Sequence, residues 1–280
     1  MRDENGMRAR QKTWNRSELL VVFRLYCRTP FGRLHHRNPE IIELARLIGR
    51  TPSAVSMKAC NFASLDPQLK ARNISALGNV SKADSTLWED FMFDSESIAH
   101  DAEAEYSALT GKEAEDYTPE FGGILSVGGD PASPDIPRIS DVLSESTEKD
   151  ALVKVRRVQS FFRTSVLISY DYRCALTGLS IPELLNASHI IPWSVDEKRR
   201  ADPRNGICLN ALHDRAFDRG LISFDENLCV VVSSQIKSTE VCAIHRDQLL
   251  GLAGKPLHLP DRFQPEDDAL EYHRNNIFRP

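Results

Sequence analysis

Two stretches, Ala187-Ser-His-Ile-Ile-Pro-Trp193 and Asp202-Pro-Arg-Asn-Gly-Ile-Cys-Leu-Asn-Ala-Leu-His-Asp-Arg-Ala-Phe-Asp-Arg-Gly220, decide the fold of the C-terminal half of this chain. The first carries an imidazole within a short apolar run, which predicts a strand over 187–191. Asn205-Gly206 is typical of a two-residue hairpin turn, and the apolar residues 207–209 would form the returning strand. Residues 211–217 predict a short helix that ends before Gly220. The sequence therefore predicts two antiparallel strands followed directly by a helix.

Together with Cys174-Ala-Leu-Thr-Gly178 upstream, these stretches resemble the HNH endonuclease family. The resemblance is to the bacterial branch marked by His-Ile-x-Pro-Trp, by Asn-Gly and by His-x-x-x-Phe-Asp-x-Gly. His189, Asn205 and His213 stand in the order that gives the family its name. The resemblance is close from Cys174 to Phe224 and looser from the predicted helix near residue 154 to the C-terminus. It implies a ββα-metal nuclease fold and hydrolysis of DNA phosphodiester bonds.

The resemblance also implies roles for three residues. His189 is the general base that takes a proton from the attacking water, and Asn205 orients His189 across the hairpin through its side chain or backbone carbonyl. His213, on the helix, is the expected ligand of one divalent metal ion. Mg²⁺ is the ion that the family implies, with Mn²⁺ or another transition metal as the alternative, because imidazole also suits softer ions. The implied products carry a 5′-phosphate and a 3′-hydroxyl.

Ser188 departs from the family pattern, because many members place a metal-binding Asp or His just before the general base. A serine hydroxyl is a poor ligand, so a nearby carboxylate would have to help. Asp214 and Asp218 are the candidates, and we expect Asp218 to be the second metal ligand, provided that the helix has ended there. The departure leaves open an alternative, a non-catalytic DNA-binding regulator with a degenerate HNH domain.

Five arginines surround the motif, a density that suits contacts with phosphate groups. They are Arg199, Arg200, Arg204, Arg215 and Arg219. We expect Arg204 and Arg215 to bind nucleic acid, and one or two of the five to pair with Asp196, Glu197 or Asp202.

The N-terminal region predicts three helices. The first covers Trp14–Cys27 with Ser17 as its cap, the second is capped by Asn38, and the third begins at Thr51-Pro52 and runs to Phe62. A helix, a short turn containing Gly49 and a capped helix form a helix-turn-helix-like pattern, whose second helix would enter the major groove of DNA. That third helix would present four polar side chains outward: Ser53, Ser56, Lys58 and Asn61. We expect Lys58 and the neighbouring Arg50 to bind nucleic acid. A helical packing domain, or one that binds protein, remains open.

Charge divides the chain into three parts. Residues 1–72 hold 14 Lys and Arg against 6 Asp and Glu, residues 73–150 hold 4 against 18, and residues 151–280 hold 17 against 16. The basic start suits a polyanion such as DNA. We expect an α+β protein with a helical DNA-binding domain at 1–110, an acidic flexible linker at 111–150 and an HNH nuclease domain at 151–280. The first domain would include a long acidic helix from Ser85 to Leu109.

Composition narrows the class of protein. With 41% hydrophobic and 27% charged residues, the chain is typical of a soluble globular protein. No apolar run approaches the ~20 residues needed to span a bilayer, and residues 1–12 are too polar for a secretory signal. We therefore expect a cytoplasmic location and no membrane partner. None of the six cysteines forms a Cys-x-x-Cys pair, which argues against a zinc ribbon.

Taken together, the sequence favours a metal-dependent HNH endonuclease that acts as a restriction-like enzyme on foreign or modified DNA. An RNase or a structure-specific nuclease is a weaker alternative, since no aromatic-rich RNA-binding stretch is evident. Cleavage of both strands by one ββα site needs either a dimer or two separate nicks, so a homodimer is left open.

Overall fold

The computed structural model describes residues 13–71, 80–112, 146–237 and 241–280. Most of the predicted acidic linker at 111–150 and the polar segment 1–12 lie outside these ranges. Among the described helices, none combines the length and the apolar composition that a membrane crossing requires.

The N-terminal part of the chain is helical. Its helices are α1 (Arg16–Cys27), α2 (Pro39–Leu47), α3 (Pro52–Ala63), α4 (Pro67–Ala71), α5 (Lys82–Phe93) and α6 (Ser95–Thr110). Asn38 and Thr51 cap α2 and α3 through their side-chain oxygens, as predicted. The cap of α1 is Asn15 rather than Ser17, because Asn15 and Glu18 bond each other's backbone amides in a capping box.

The predicted single helix from Ser85 to Leu109 is wrong, because the chain forms α5 and α6 there. Asp94 separates them with a non-helical backbone at φ −148°. Its side chain accepts a hydrogen bond from the backbone amide of Ser97 at 3.0 Å and so caps α6. The break turns the first residues of α6 toward the C-terminal half of the chain.

The predicted outward face of α3 is wrong for Lys58 and Asn61, which are both buried. Lys58 Nζ lies 2.8 Å from Oδ1 of the fully buried Asp84, and Asn61 donates to the same carboxylate at 3.2 Å. Ser56 is half-buried and donates to the Leu34 carbonyl, whereas Ser53 is exposed as predicted. The polar face of α3 is therefore occupied by α5, which the spacing of residues within α3 does not reveal.

The C-terminal part combines helices with two short antiparallel sheets. Its elements are α7 (Ser146–Ser169), β1 (Leu185–His189), β2 (Gly206–Asn210), α8 (Ala211–Asp218), β3 (Ile222–Phe224), β4 (Val230–Val232), α9 (Ala243–Gln248) and α10 (Asp267–Asn276). β1 pairs with β2, and β3 pairs with β4. The predicted α+β class and the predicted order of strand, strand and helix are confirmed.

The predicted two-residue hairpin turn at Asn205-Gly206 is wrong. β1 and β2 are joined by the long connection 190–205, and Gly206 is the first residue of β2, opposite His189. Gly206 has an extended backbone at φ −139°, so it is not required for a turn. It is required for close packing against α7, since a Cβ there would lie 2.5 Å from Val166 Cγ2 and 2.7 Å from Phe162 Cζ.

Helix α7 belongs to two apolar cores. Phe161 packs with the N-terminal helices, and the next residue, Phe162, packs with the sheets and α8. The first core also takes in Trp193, Ala201 and Phe263 from the C-terminal part. The N-terminal helices and the C-terminal unit thus share an apolar interface, and the boundaries predicted for separate domains stay a prediction.

Candidate nuclease site

The site is built on the β1–β2 hairpin and on α8, which follows β2 without a loop. Asn210 ends β2 and caps α8, accepting hydrogen bonds from the backbone amides of Leu212 and His213 at 3.1 and 3.0 Å. In the hairpin, His189 lies opposite Gly206 and Ser188 lies opposite Ile207. Helix α8 packs against both strands. This arrangement sets the first turn of α8 beside β1, where the predicted general base lies.

His189 ends β1 and is half-buried between two aromatic rings. Its imidazole stacks on Phe162 with ring centroids 3.7 Å apart and meets Trp193 edge-on at 5.7 Å. Nε2 lies 3.0 Å from the backbone carbonyl of Arg200. A carbonyl only accepts hydrogen bonds, so Nε2 carries the hydrogen and Nδ1 of the neutral ring keeps its lone pair. The tautomer needed for proton abstraction through Nδ1 is thereby fixed.

Burial lowers the pKa of His189 to about 4. The charge of the Arg200 guanidinium lowers the pKa further, and together these two effects outweigh the hydrogen bond to the Arg200 carbonyl, which favours the charged ring and raises the pKa. At neutral pH the imidazole is therefore uncharged and able to accept a proton.

Asn205 acts on the chain next to His189 rather than on its ring. The Asn205 side chain is buried; Oδ1 accepts from the Ile191 amide at 2.8 Å and Nδ2 donates to the Ile191 carbonyl at 3.1 Å. The Asn205 carbonyl accepts from the Ile190 amide at 3.0 Å. These three bonds close the base of the connection 190–205 and hold the two residues that follow His189.

Asp214 is the buried carboxylate that faces β1. Its two oxygens accept hydrogen bonds from the hydroxyl of Ser188 and, at 2.7 Å, from the side-chain amide of Asn186. Burial raises the pKa of Asp214, although these two hydrogen bonds and the charges of Arg215 and Arg163 act in the opposite direction. The carboxylate thus lies beside the residue that directly precedes His189.

His213 points away from β1, into the protein. It is fully buried, with Nε2 2.7 Å from the Gln248 carbonyl and Nδ1 3.7 Å from Sγ of Cys174. Burial raises the pKa of the Cys174 thiol, but hydrogen bonds with His213, Thr177 and two backbone amides outweigh it and bring the pKa to about 7. Both ring nitrogens of His213 are engaged by protein atoms, so metal binding through His213 would require one of these contacts to be given up.

Asp218, the other predicted ligand, is the last residue of α8 and is half-buried. It lies one helical turn beyond Asp214, on the same side of the helix. Within the described ranges, no three His, Cys, Asp or Glu side chains lie close enough together to form a metal site by themselves. A cation at α8 would therefore depend on few protein ligands and on oxygens from water and substrate.

The residues predicted to bind nucleic acid differ in their surroundings. Arg50 pairs with Glu18 at 2.7 Å, Lys58 pairs with Asp84, and Arg204 pairs with Asp202 at 2.5 Å and with Glu266 at 2.6 Å. Arg215 is exposed on α8. Three of the five clustered arginines form such ion pairs, one more than the one or two expected: Arg199 contacts Asp196, Arg200 contacts Glu197 and Arg204 contacts Asp202.

His273, near the C-terminus, packs against Phe217 of α8, and Arg274 donates to the Phe224 carbonyl of β3. The ring of His273 lies parallel to that of Phe217 with centroids 3.7 Å apart, and its Nε2 lies 3.1 Å from the Phe217 carbonyl. Gly220 follows α8 with φ +66°, and a Cβ there would lie 2.1 Å from the Ile277 carbonyl oxygen. The glycine that ends the motif is therefore required both for its left-handed backbone and for the close approach of the C-terminal segment.

A comparison with protein-family models assigns residues 174–225 to a family described as HNH endonuclease. The matched region contains β1, β2, α8 and β3, and thus all the residues described above on the hairpin and on α8. A search of curated proteins found no match.

Proposed function

Residues 174–225 belong to the HNH endonuclease family, and from this premise we propose that the chain is a metal-dependent endonuclease that hydrolyses DNA phosphodiester bonds. The observation that carries the proposal is the state of His189. Its Nε2 is bound to the Arg200 carbonyl, which leaves Nδ1 as a proton acceptor at the end of β1, and the preceding residue, Ser188, is bonded to Asp214. We further propose that its substrate is foreign or modified DNA, as for a restriction-like enzyme.

The residues around Asp214 fit a divalent ion of the Mg²⁺ type. Mg²⁺ is commonly held in enzymes by one or two carboxylates, together with waters and substrate phosphate oxygens. Asp214 supplies a buried carboxylate that accepts hydrogen bonds from two neutral side chains, Ser188 and Asn186. Burial raises the pKa of Asp214 despite the nearby charges of Arg215 and Arg163, and a bound cation would further lower the free-energy cost of the buried carboxylate. Asp214 would hold the ion, and Asp218 and His213 are the further candidates. The ion would neutralise charge on the phosphate.

The chain's own residues account for the proton transfer. His189 Nδ1 accepts the proton of the attacking water, and the resulting imidazolium is stabilised by its hydrogen bond to the Arg200 carbonyl. An approaching phosphodiester is an anion, so its presence raises the pKa of His189 toward neutrality and strengthens it as a base. Asn205 keeps the backbone after His189 in place. Arg215 is exposed on α8 and would contact a phosphate of the bound strand.

Plasmid cleavage tests the proposal directly. The purified protein and its His189→Ala variant would be incubated with unmodified plasmid and with plasmid that contains modified bases, in Mg²⁺, Mn²⁺ or EDTA. We expect cleavage that requires the metal and is lost in His189→Ala, whereas the exposed His258→Ala serves as the matched control and keeps it. Nicked and linear products would be separated to reveal whether two copies act together.

Two results would contradict the proposal. Cleavage that survives in His189→Ala would show that another group is the base. No cleavage under any condition, combined with specific duplex binding, would favour the alternative of a non-catalytic DNA-binding regulator. Parallel incubations with single-stranded DNA and RNA would identify a nuclease of different specificity.

We also propose that the helix-turn-helix-like segment α2–α3 contacts DNA. The net basic charge of residues 1–72 supports this proposal, although Lys58 and Arg50 are held in ion pairs. Exposed arginines near the start of α2, such as Arg33 and Arg37, offer an alternative phosphate contact. Arg33→Gln with Arg37→Gln should reduce the salt dependence of duplex binding by the full chain, because each lost phosphate contact lowers the slope. An unchanged slope would favour a packing or protein-binding role.

A further inference from the structure

The first residue of α6 is bonded to the long connection between β1 and β2. The Ser95 amide and the Ser95 hydroxyl both donate to the Lys198 carbonyl, at 2.8 and 2.7 Å. The Ser95 hydroxyl oxygen also accepts a hydrogen bond from the Ala201 amide at 3.2 Å. Ser95 and Ala201 are almost completely buried. Helix α6, which lies outside residues 174–225, is therefore hydrogen-bonded to the segment that contacts His189.

Glu96, the next residue of α6, binds the same segment through Arg200. Glu96 Oε2 lies 3.0 Å from Arg200 Nη1, and its other oxygen lies 2.8 Å from Lys154 of α7. Arg200 also donates from Nε to the Trp193 carbonyl at 2.8 Å. The guanidinium is thus fixed at both ends, between α6 and the beginning of the connection.

These contacts converge on one peptide group. The Arg200 carbonyl, which accepts from His189 Nε2, and the Ala201 amide, which donates to Ser95, belong to the same peptide unit. That unit is planar and rigid, so fixing its N–H edge also fixes the direction of its carbonyl. In addition, an amide that donates at one edge becomes a better acceptor at the other, because hydrogen bonds in a chain polarise one another.

We propose that Ser95 and Glu96 are positioning residues for His189, which hold the Arg200 carbonyl in the direction that keeps the imidazole as its Nε2–H tautomer. The inference rests on the proposed nuclease function, since it assigns His189 the role of general base. It extends the working site beyond residues 174–225 to a helix of the N-terminal region. Neither residue touches the substrate in this role.

The test compares Ser95→Ala and Glu96→Gln in the full-length protein with Asp90→Asn as the control. Asp90 lies nearby on α5 and pairs only at the surface with Arg16, 3.0 Å away. We expect both test variants to lower kcat by about tenfold or more, in the range typical when an outer hydrogen-bond partner of a functional group is lost, with KM unchanged. Ser95→Thr, which keeps the hydroxyl, should restore kcat. Asp90→Asn should resemble the wild type.

A second readout does not depend on cleavage. The ¹⁵N chemical shifts of the His189 ring, assigned by their loss in His189→Ala, report which nitrogen carries the hydrogen. We expect the Nε2–H form alone in the wild type and in Asp90→Asn, and a mixture of tautomers in Ser95→Ala and Glu96→Gln. If Ser95→Ala does not fold, Glu96→Gln carries the comparison, because its side chain lies at a partly exposed edge.

The outcomes separate this inference from the proposed function. Test variants that keep both the wild-type kcat and the Nε2–H form would overturn the inference. A lower kcat with an unchanged tautomer would also overturn it, because the effect would then come from elsewhere. A wild-type protein that cleaves no DNA would contradict the proposed function, while the tautomer comparison would still decide whether α6 positions His189.

Discussion

His273 is a buried histidine whose surroundings favour the uncharged ring. Burial lowers its pKa to about 4, and the Arg274 charge acts in the same direction, while the hydrogen bond to the Phe217 carbonyl acts against them. In the unfolded chain the same imidazole would titrate near its usual value of about 6.5. Above that pH neither state is protonated and His273 adds no pH dependence. As the pH falls from about 6.5 to about 4, the unfolded state binds a proton that the native state does not, so stability decreases.

We therefore expect the melting temperature to fall as the pH is lowered through this window, and to fall less steeply in His273→Gln. Thermal melts at several pH values from 4 to 8 would measure both slopes. The exposed His258→Gln should keep the wild-type slope. Equal slopes for His273→Gln and the wild type would refute the assignment of a neutral, buried His273.

Asp214 and Asp218 can be distinguished by their effect on metal binding. Asp214→Asn removes a buried charge, so without divalent ions we expect the variant to be at least as stable as the wild type. A ligand at a hundred times its dissociation constant stabilises the native state by about 2.7 kcal/mol. We expect the resulting rise in melting temperature with Mg²⁺ or Mn²⁺ to disappear in Asp214→Asn and to persist in Asp218→Asn. The reverse pattern would identify Asp218 as the ligand.

The sequence predicts the environment of a single residue only where its close neighbours along the chain determine that environment. Its apolar neighbours place His189 in a strand, as predicted, but the strand is Leu185–His189 rather than 187–191, so that His189 ends it. The choice between His213 and Asp214 does not follow from such neighbours, because adjacent residues of a helix point about 100° apart. Which of them faces β1 depends on how α8 is rotated against the hairpin. That rotation is set by Phe217, Cys174 and Gln248, which are distant from one another in sequence.

Among the elements, the packing of β2 on α7 gives the sharpest prediction. Gly206→Ala would place a Cβ within 2.5 Å of Val166 and 2.7 Å of Phe162. Overpacking of this kind typically costs about 1–3 kcal/mol. We expect urea unfolding at a lower midpoint and reduced DNA cleavage, because Phe162 carries the stacked ring of His189. Gly32→Ala, with no atom within 4 Å of its Cβ, is the control, and equal losses in both variants would disprove the packing argument.

Element boundaries followed the sequence where capping is local. Asn38 and Thr51 begin α2 and α3 because their side chains bond amides two or three residues ahead. The division between α5 and α6 was missed, since Asp94 lies within an otherwise helical pattern. The predicted hairpin turn is wrong for a different reason. Gly206 is needed for close packing against α7, which lies some forty residues earlier in the chain. Its neighbour Asn205 is equally typical of a turn and instead closes a long connection.

At the scale of the whole molecule, Arg262 links the C-terminal part of the chain to helix α1. It is buried, and its guanidinium donates to the Tyr26 and Cys27 carbonyls at the end of α1, at 2.6 and 3.1 Å. The neighbouring Gln264 amide donates to the Gln68 side chain at 2.7 Å. The segment that leads into α10 is thereby fixed to the N-terminal helices, a contact that no local pattern in either segment predicts.

Arg262→Met should therefore destabilise the entire protein. The substitution removes both hydrogen bonds, although the Tyr26 carbonyl keeps a bond of 3.4 Å from the Thr29 amide; a buried carbonyl that loses its partner costs roughly 1–3 kcal/mol. We expect calorimetry to give one unfolding transition for the wild type and a transition at a lower temperature for the variant. Arg16→Met, which removes an exposed ion pair worth at most about 1 kcal/mol, should change little. Two well-separated wild-type transitions would mean that the halves unfold independently.

The position of α7 between the two cores also has a consequence for backbone motion. Phe161 and Phe162 are consecutive residues of one helical turn, and each is buried in a different core. Their amide hydrogens can reach solvent only if both cores open together, because either core alone keeps that turn helical. Exchange with deuterated water should therefore be slowest there, and a ligand that tightens either core should slow it further. The middle of α7 thus reports on events in both halves of the protein.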